Sequence, residues 1–288
     1  MFNKQTLGRE VSFSGVGIHS GEQVSLALKP SHSGKILFRR LDLGGLEVEP
    51  DPRRVDALNC SCLVFESGRI QTLEHLMAAL YMLGLDSLIV ELQGSEIPIL
   101  DGSAAPLARA IVEAGVVPIR RKRRVVRLLK PHTLEEKGAR LSFSPAPDFK
   151  VSYAIDFNHP LIGRQGISFD LTREVFLREI SPARTFGFLK DVAELRKRGL
   201  ALGGTVDNAV VLDENGIISG SLRFRDEFVR HKVLDLIGDL ALFGYPLLGH
   251  FQAERAGHRL HLRAVLFLLD NPGFWAFEET VAPRFLGG

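Results

Sequence analysis

The 288-residue chain is 45% hydrophobic and 24% charged, carries 19 phenylalanines, and sets 36 basic against 34 acidic residues for a net charge of +2. Such a composition can fill ordinary cores and excludes a disordered chain, and the near balance of charge removes any general electrostatic demand for a nucleic-acid partner. No run approaches the roughly 18 apolar residues of a membrane span, and "MFNKQTLGREVSFSG" has no signal-peptide core, so a cytoplasmic protein long enough for two domains is expected.

In chain order, "VSFSGVGIH", "QVSLALKP" and "KILFRRL" read as strands. Cys60 and Cys62 in "NCSCLVF" fall on one face of a further strand. A disulfide across that spacing is strained, and C-x-C is short for a zinc hook, so both are expected to be reduced packing residues. "TLEHLMAALYMLG" predicts an almost wholly apolar helix, capped by Gln71 or Thr72 and stopped by Gly84. "DSLIVEL" is a buried strand and "SAAPLARAIVEAG" a helix ending at Gly115. The basic run "RRKRRVVRLLKP" is expected to be a solvated linker leading into a strand, dividing a first domain, 1–122, from a second, 123–288.

The second half repeats the pattern: strands "ARLSFSP" and "KVSYAIDF", the long helix "DEFVRHKVLDLIGDLALFG", strand "PLLGHFQAER" and helix "HRLHLRAVLFLL". Between strands and long helix lies an insertion, 186–220, with a helix in "KDVAELRKRGLALGG" and a hairpin turning at "DENG". The fold class is therefore α+β: two similar domains, each a sheet layered with helices, the helices of both sandwiched between the sheets, and a βαβ-type insertion in the second.

Two features point to chemistry. Glu74 and His75 stand side by side at the start of a helix with almost no other polar residue, and His231, Asp235 and Asp239 recur at i, i+4 and i+8 along one stripe of the long helix. A solvated stripe is usually built from lysine, glutamate and arginine, whereas this one carries ligand-type side chains. His75, His231 and Asp235 together supply the three N and O donors of a catalytic zinc site with an open fourth position. Glu74 beside them is placed to take a proton from the attacking water.

Beyond these residues, the whole chain resembles the bacterial zinc-dependent UDP-3-O-acyl-N-acetylglucosamine deacetylases, which catalyse the committed step of lipid A synthesis in Gram-negative bacteria. The resemblance is carried in order by "SFSGVGIHSG", "TLEHLMAAL", "EIPILDGSAAP", "IDFNHP", "SPARTFGF", "LGGTVDNAVV", "DEFVRHKVLDLIGDLALFG" and "AGH". It implies one Zn²⁺ per chain on His75, His231 and Asp235, with Fe²⁺ able to compete, and Glu74 as general base. It further implies His258 as general acid, oriented and charged by Asp239, and the Thr185 hydroxyl as oxyanion support. The substrate would be UDP-3-O-acyl-N-acetylglucosamine, with Phe157 on the uracil and His19 and Lys232 near the phosphates. Phe186, which opens the insertion, and Gly204 in its "GLALGG" run join the substrate contacts, the insertion forming an apolar passage for the acyl chain. A family lysine early in the second domain has no clear counterpart, since Ala139 stands at its place and Lys137 two residues away. A monomer without nucleic acid is expected, touching the inner membrane only transiently. Two other readings remain at this point: a zinc hydrolase of another acylated amine or nucleotide sugar, and a non-catalytic nucleotide- or RNA-binding module using the Arg120 to Arg127 patch.

Overall fold

A computed structural model describes residues 3–278; residues 1, 2 and 279–288, at the outer ends of the two expected domains, lie outside the described residues. The fold is α+β. One sheet has five strands in the spatial order Val11–Val16, Gln23–Pro30, Leu88–Gln93, Ile36–Arg40, Leu46–Val48. A second has seven: His132–Glu136, Ala139–Ser144, Leu247–Glu254, Val125–Leu128 and Trp275–Glu278 run in order, with Phe149–Phe157 also pairing with Leu247–Glu254 and Gly163–Asp170 outside it. Their strands alternate as half-buried strands must. Val24, Leu26 and Leu28 point inward, alternating with exposed Gln23 and Ser25 and half-buried Ala27, and Phe149, Val151, Tyr153 and Ile155 point inward in the second sheet.

Six α-helices lie among the described residues: α1 (Glu74–Met82), α2 (Ala105–Ala114), α3 (Arg173–Val175), α4 (Leu189–Lys197), α5 (Glu227–Ala241) and α6 (His258–Asp270). α2 packs on α1 and the first sheet, α1 on α5, and α5 and α6 on the second sheet. That stacking explains an apolar helix without a polar face. Every α1 residue but Tyr81 is buried, and in α5 only Arg230 and Lys232 are not. Each leucine so buried contributes about 1.5–3 kcal/mol.

The α1–α5 contact is tight at Gly238, where an added Cβ would collide with the backbone carbonyl of Glu74. Alanine improves intrinsic helix propensity by about 1 kcal/mol, so any net loss must come from that collision. Gly238→Ala is expected to cost about 1–3 kcal/mol in a denaturant titration and to lower activity by moving Glu74 and His75. A variant as stable and active as the parent would show that the two helices separate freely.

The insertion is a βαβ unit: Phe186–Phe188 pairs in parallel with Val210–Leu212, and α4 connects them. The expected hairpin contracts to one antiparallel bridge, Leu212 with Ile217, because the Asp213 carboxylate ties off the turn by accepting the N–H groups of Asn215 and Gly216.

Two local expectations are corrected. The basic run is not purely a solvated linker: Arg120, Arg121 and Lys122 are exposed but end the strand Val116–Lys122, Arg123 is buried on Asp86 and the Gly84 carbonyl, and Arg124 lies 3.2 Å over the Phe277 ring, while the strand expected after it is Val125–Leu128. Nor does Gln71 or Thr72 cap α1, whose N-cap position is Leu73 with no side-chain cap. Thr72 is diverted: at φ 60° it adopts the left-handed region, unusual for a β-branched residue, and its hydroxyl donates to Glu96 at 2.8 Å. Cys60 and Cys62 are free and buried, and burial raises both thiols, Cys62 to about 11.

Candidate active site

The first turn of α1 and the central stripe of α5 meet at the helix contact, and this brings His75, His231 and Asp235 together. Their ligand atoms all lie within 4.8 Å of one another, and all three residues are buried. Nε2 of His231 stands 3.3 Å and Nε2 of His75 3.9 Å from Asp235 Oδ1. His231 Nδ1 lies 3.2 Å from the Ala183 carbonyl, so Nδ1 carries the proton and Nε2 turns its lone pair toward the cluster, the usual outer partner of a metal-bound imidazole. Burial lowers both histidines, His75 to about 3, so both are neutral at pH 7. Burial alone would raise Asp235, but the imidazoles and the Lys232 ammonium, 2.7 Å away, hold it well below the usual range. Two neutral imidazoles and one carboxylate converging on a point is a donor set that fits a divalent ion with sites to spare.

Glu74 borders this cluster. One carboxylate oxygen accepts the Ser61 N–H at 3.0 Å and the other lies 3.9 Å from His258 Nε2. Burial raises its carboxyl to about 7, the His258 cation opposing and Asp235 and Asp239 adding to the effect. His258 begins α6. Burial opposes its protonation, yet Asp239 and Asp235 outweigh that and raise it to about 9. Asp239 accepts from His258 Nδ1 at 2.8 Å and, despite burial, is held at about 2 by that ring and by His261. A carboxyl near 7 facing an imidazolium near 9 is an acid–base pair with separated tasks.

One cavity of about 450 Å³ collects these groups. Glu74, His75, His231, Asp235 and His258 line it, as do Thr185, His19, Phe157, Phe186, Gly204 and Lys232. Asp239 lies behind His258, fully buried. Much of the remaining wall is apolar and comes from the insertion: Val192 and Leu195 of α4, Ala201, Ala209 and Val211, joined by Ile18. The segment carrying Thr185 and Phe186 is fixed to α5 by buried Glu227, which accepts from the Arg184 side chain at 2.8 Å and from the backbone N–H groups of Arg184 and Arg223.

The family described as UDP-3-O-acyl N-acetylglycosamine deacetylase (LpxC) matches residues 4–270. The chain belongs to this deacetylase family. It is 41% identical over 277 residues to the UDP-3-O-acyl-N-acetylglucosamine deacetylase of Thermodesulfovibrio yellowstonii, covering 96% of this chain and 95% of that one. The deacetylase of Acidithiobacillus ferrooxidans is 43% identical over 293 residues, covering 98% and 96%, and that of Geotalea uraniireducens 41% over 285, covering 98% and 93%. As a member of the deacetylase family the chain is an enzyme, and no helix among its described residues is long and apolar enough to cross a membrane.

Sequence reasoning missed three supports of the deacetylase site. Ser61, between the two cysteines, donates its N–H to Glu74 and its hydroxyl to Asp239, so one residue holds both carboxylates. Glu96 accepts from the N–H groups of His19 and Ser20 as well as from Thr72, tying the His19 loop to the entry of α1. His261 shares Asp239 with His258. Only Glu96 had a signal, its position in "EIPILDG".

Proposed function

We propose that the chain hydrolyses the N-acetyl group of UDP-3-O-acyl-N-acetylglucosamine, giving acetate and the free glucosamine amine, with Zn²⁺ as the resident ion and Fe²⁺ as its competitor. The observation that supports this best is the acid–base pair of Glu74 and His258 beside the three-donor cluster, inside a cavity with one apolar wall. His75, His231 and Asp235 would hold the ion, whose positive charge polarises the acetamide oxygen and acidifies water when bound. Glu74 takes a proton from the water that attacks the acetyl carbon. As the C–N bond breaks, His258 delivers the proton on Nε2 to the amine nitrogen. Thr185, on the cavity wall, is assigned to the developing oxyanion. Asp239 keeps the His258 proton on the correct nitrogen and the ring charged.

The remaining assignments concern the substrate's length. Phe157 is read as the uracil platform, beside Phe186 at 5.5 Å between ring centroids. His19 and Lys232 are read as diphosphate contacts, and among the described residues the buried His19 Nδ1 has no hydrogen-bond partner. The insertion is read as the acyl passage. Residues 1–122 and 123–288 are read as two domains, working as a monomer in the cytoplasm with transient contact to the inner membrane. Acetate release from the 3-O-acylated nucleotide sugar, with its non-acylated counterpart as control and elemental analysis of the purified chain, tests this reading. Equal turnover of both sugars would point instead to a broader hydrolase, and no metal with salt-sensitive RNA binding to a binding module.

The acyl assignment can be tested alone. A side chain at Gly204 would meet Ala201 and Ile18 only at ordinary contact distance, so leucine fits the backbone and projects into the passage. Each methylene buried there is worth about 0.8 kcal/mol, so specificity should climb with acyl length and then level. Gly204→Leu is expected to penalise long chains far more than short ones while metal content stays constant. An equal penalty at every length would place the acyl chain elsewhere.

The pH profile of kcat/KM should be a bell. Glu74 must be ionised, so the rate rises as pH climbs through its pKa of about 7; His258 must be protonated, so it falls as pH climbs through about 9. A bound dication favours the deprotonated form of each and moves both limbs down. Asp239→Asn removes the charge that supports the imidazolium, and the basic limb is expected to shift to lower pH. An unmoved limb would assign the acid to another group.

A further inference from the structure

One buried titratable side chain beside the acid has no task in this reaction. His261 is fully buried on α6, three residues after His258 and therefore on the same helix face. Nδ1 of each ring lies 2.8 Å from the same atom, Asp239 Oδ2, while the Ser61 hydroxyl donates to Oδ1. An ionised carboxylate only accepts, so each Nδ1 carries a proton. On its far side, His261 Nε2 lies 2.9 Å from the Tyr153 hydroxyl, which donates to the Ala256 carbonyl at 2.7 Å. The Tyr153 hydroxyl thus ties the far ring nitrogen of His261 to the backbone two residues before His258. A carboxylate held by one partner swings about its side-chain bond, whereas this one is held at both oxygens.

We propose that His261 is a positioning residue for the acid: with Tyr153 it locks Asp239 Oδ2 and the turn before α6 in the arrangement that aims His258 Nε2 into the cavity. The proposal rests on the deacetylase reading for its effect on rate, but its hydrogen bonds stand independently. The rival use of the same atoms is a second metal site, since the ligand atoms of Asp239, His258 and His261 also lie within 4.8 Å of one another. An ion there would have to displace both N–H protons.

The test uses the full-length, metal-loaded chain. His261→Leu removes the donor; His261→Asn puts an amide N–H near the place of ring Nδ1 and drops only the link to Tyr153. His261→Leu is expected to lower kcat on the order of 10-fold, the scale of a small misplacement, with KM and metal content unchanged, and His261→Asn to recover most of it. Adding His261→Leu to Asp239→Asn should cost less than about twofold more, because the two act as one unit. Proton NMR of the parent should show a downfield ring N–H signal from each of the two rings on Asp239, one of them lost in His261→Leu and both displaced in Asp239→Asn, while the His231 N–H on the Ala183 carbonyl stays in place. The same factor lost in both backgrounds, only one downfield signal that moves in Asp239→Asn, or two metals per chain falling to one in His261→Asn would overturn the proposal. If His261→Leu does not fold, the parent spectrum and His261→Asn still decide. A parent that releases no acetate while showing both signals would sink the deacetylase reading and leave the arrangement standing.

Discussion

Replacing His231 or Asp235 with alanine is expected to remove bound metal and activity together. Loss of an outer partner of a metal ligand already costs 10–100-fold in affinity, so loss of one of three direct ligands should exceed about 100-fold. Asp235→Ala carries a second penalty because Lys232 loses its 2.7 Å partner inside the protein, so Asp235→Asn serves as the isosteric control. Elemental analysis after desalting, paired with acetate release, reads the result. Stoichiometric metal retained in both His231→Ala and Asp235→Ala would remove the ion from this cluster.

Glu74→Gln is expected to do the opposite, keeping the metal and losing the rate by about 10²–10⁴-fold, the range for a positioned acid–base group. The amide oxygen can still accept the Ser61 N–H, so the fold at the start of α1 should survive and the loss can be attributed to the proton. The loss should fall on kcat, since Glu74 has no assigned part in holding the substrate. Turnover within a few-fold of the parent would mean that the base is another residue.

What could be read without coordinates was whatever is written in one segment. The strand periodicity, the apolar α1 and the i, i+4, i+8 stripe of α5 are local patterns, and each became the predicted element. The candidate three-donor cluster was legible because its residue types are unusual in their places, an imidazole on the apolar α1 and an imidazole and a carboxylate one turn apart on the buried stripe of α5. His258 and Thr185 have no such local mark and came only through the resemblance. Ser61 and His261 were invisible: a serine between two cysteines and a histidine in a helix gain meaning only when Asp239, from another element, arrives beside them. The Thr72 cap failed for the same reason, since its hydroxyl is claimed by Glu96, 24 residues away. Arg123, in a run that resembles a solvent-exposed linker, is buried because Asp86 and the Gly84 carbonyl wait for it.

The three candidate metal donors lie on two helices, His75 on α1 and His231 and Asp235 on α5, and the helices themselves pack together, with Gly238 tight against the backbone of Glu74. An ion seated across them would therefore work as a clasp as well as a reagent. Whatever binds the closed pair and not the separated helices adds RT ln(1 + [L]/Kd) to the free energy of opening, about 2.7 kcal/mol at a free ion concentration of 100 Kd. Metal supply would thereby set the lifetime of the protein along with its rate, and a starved cell would hold less of the enzyme as well as a slower one.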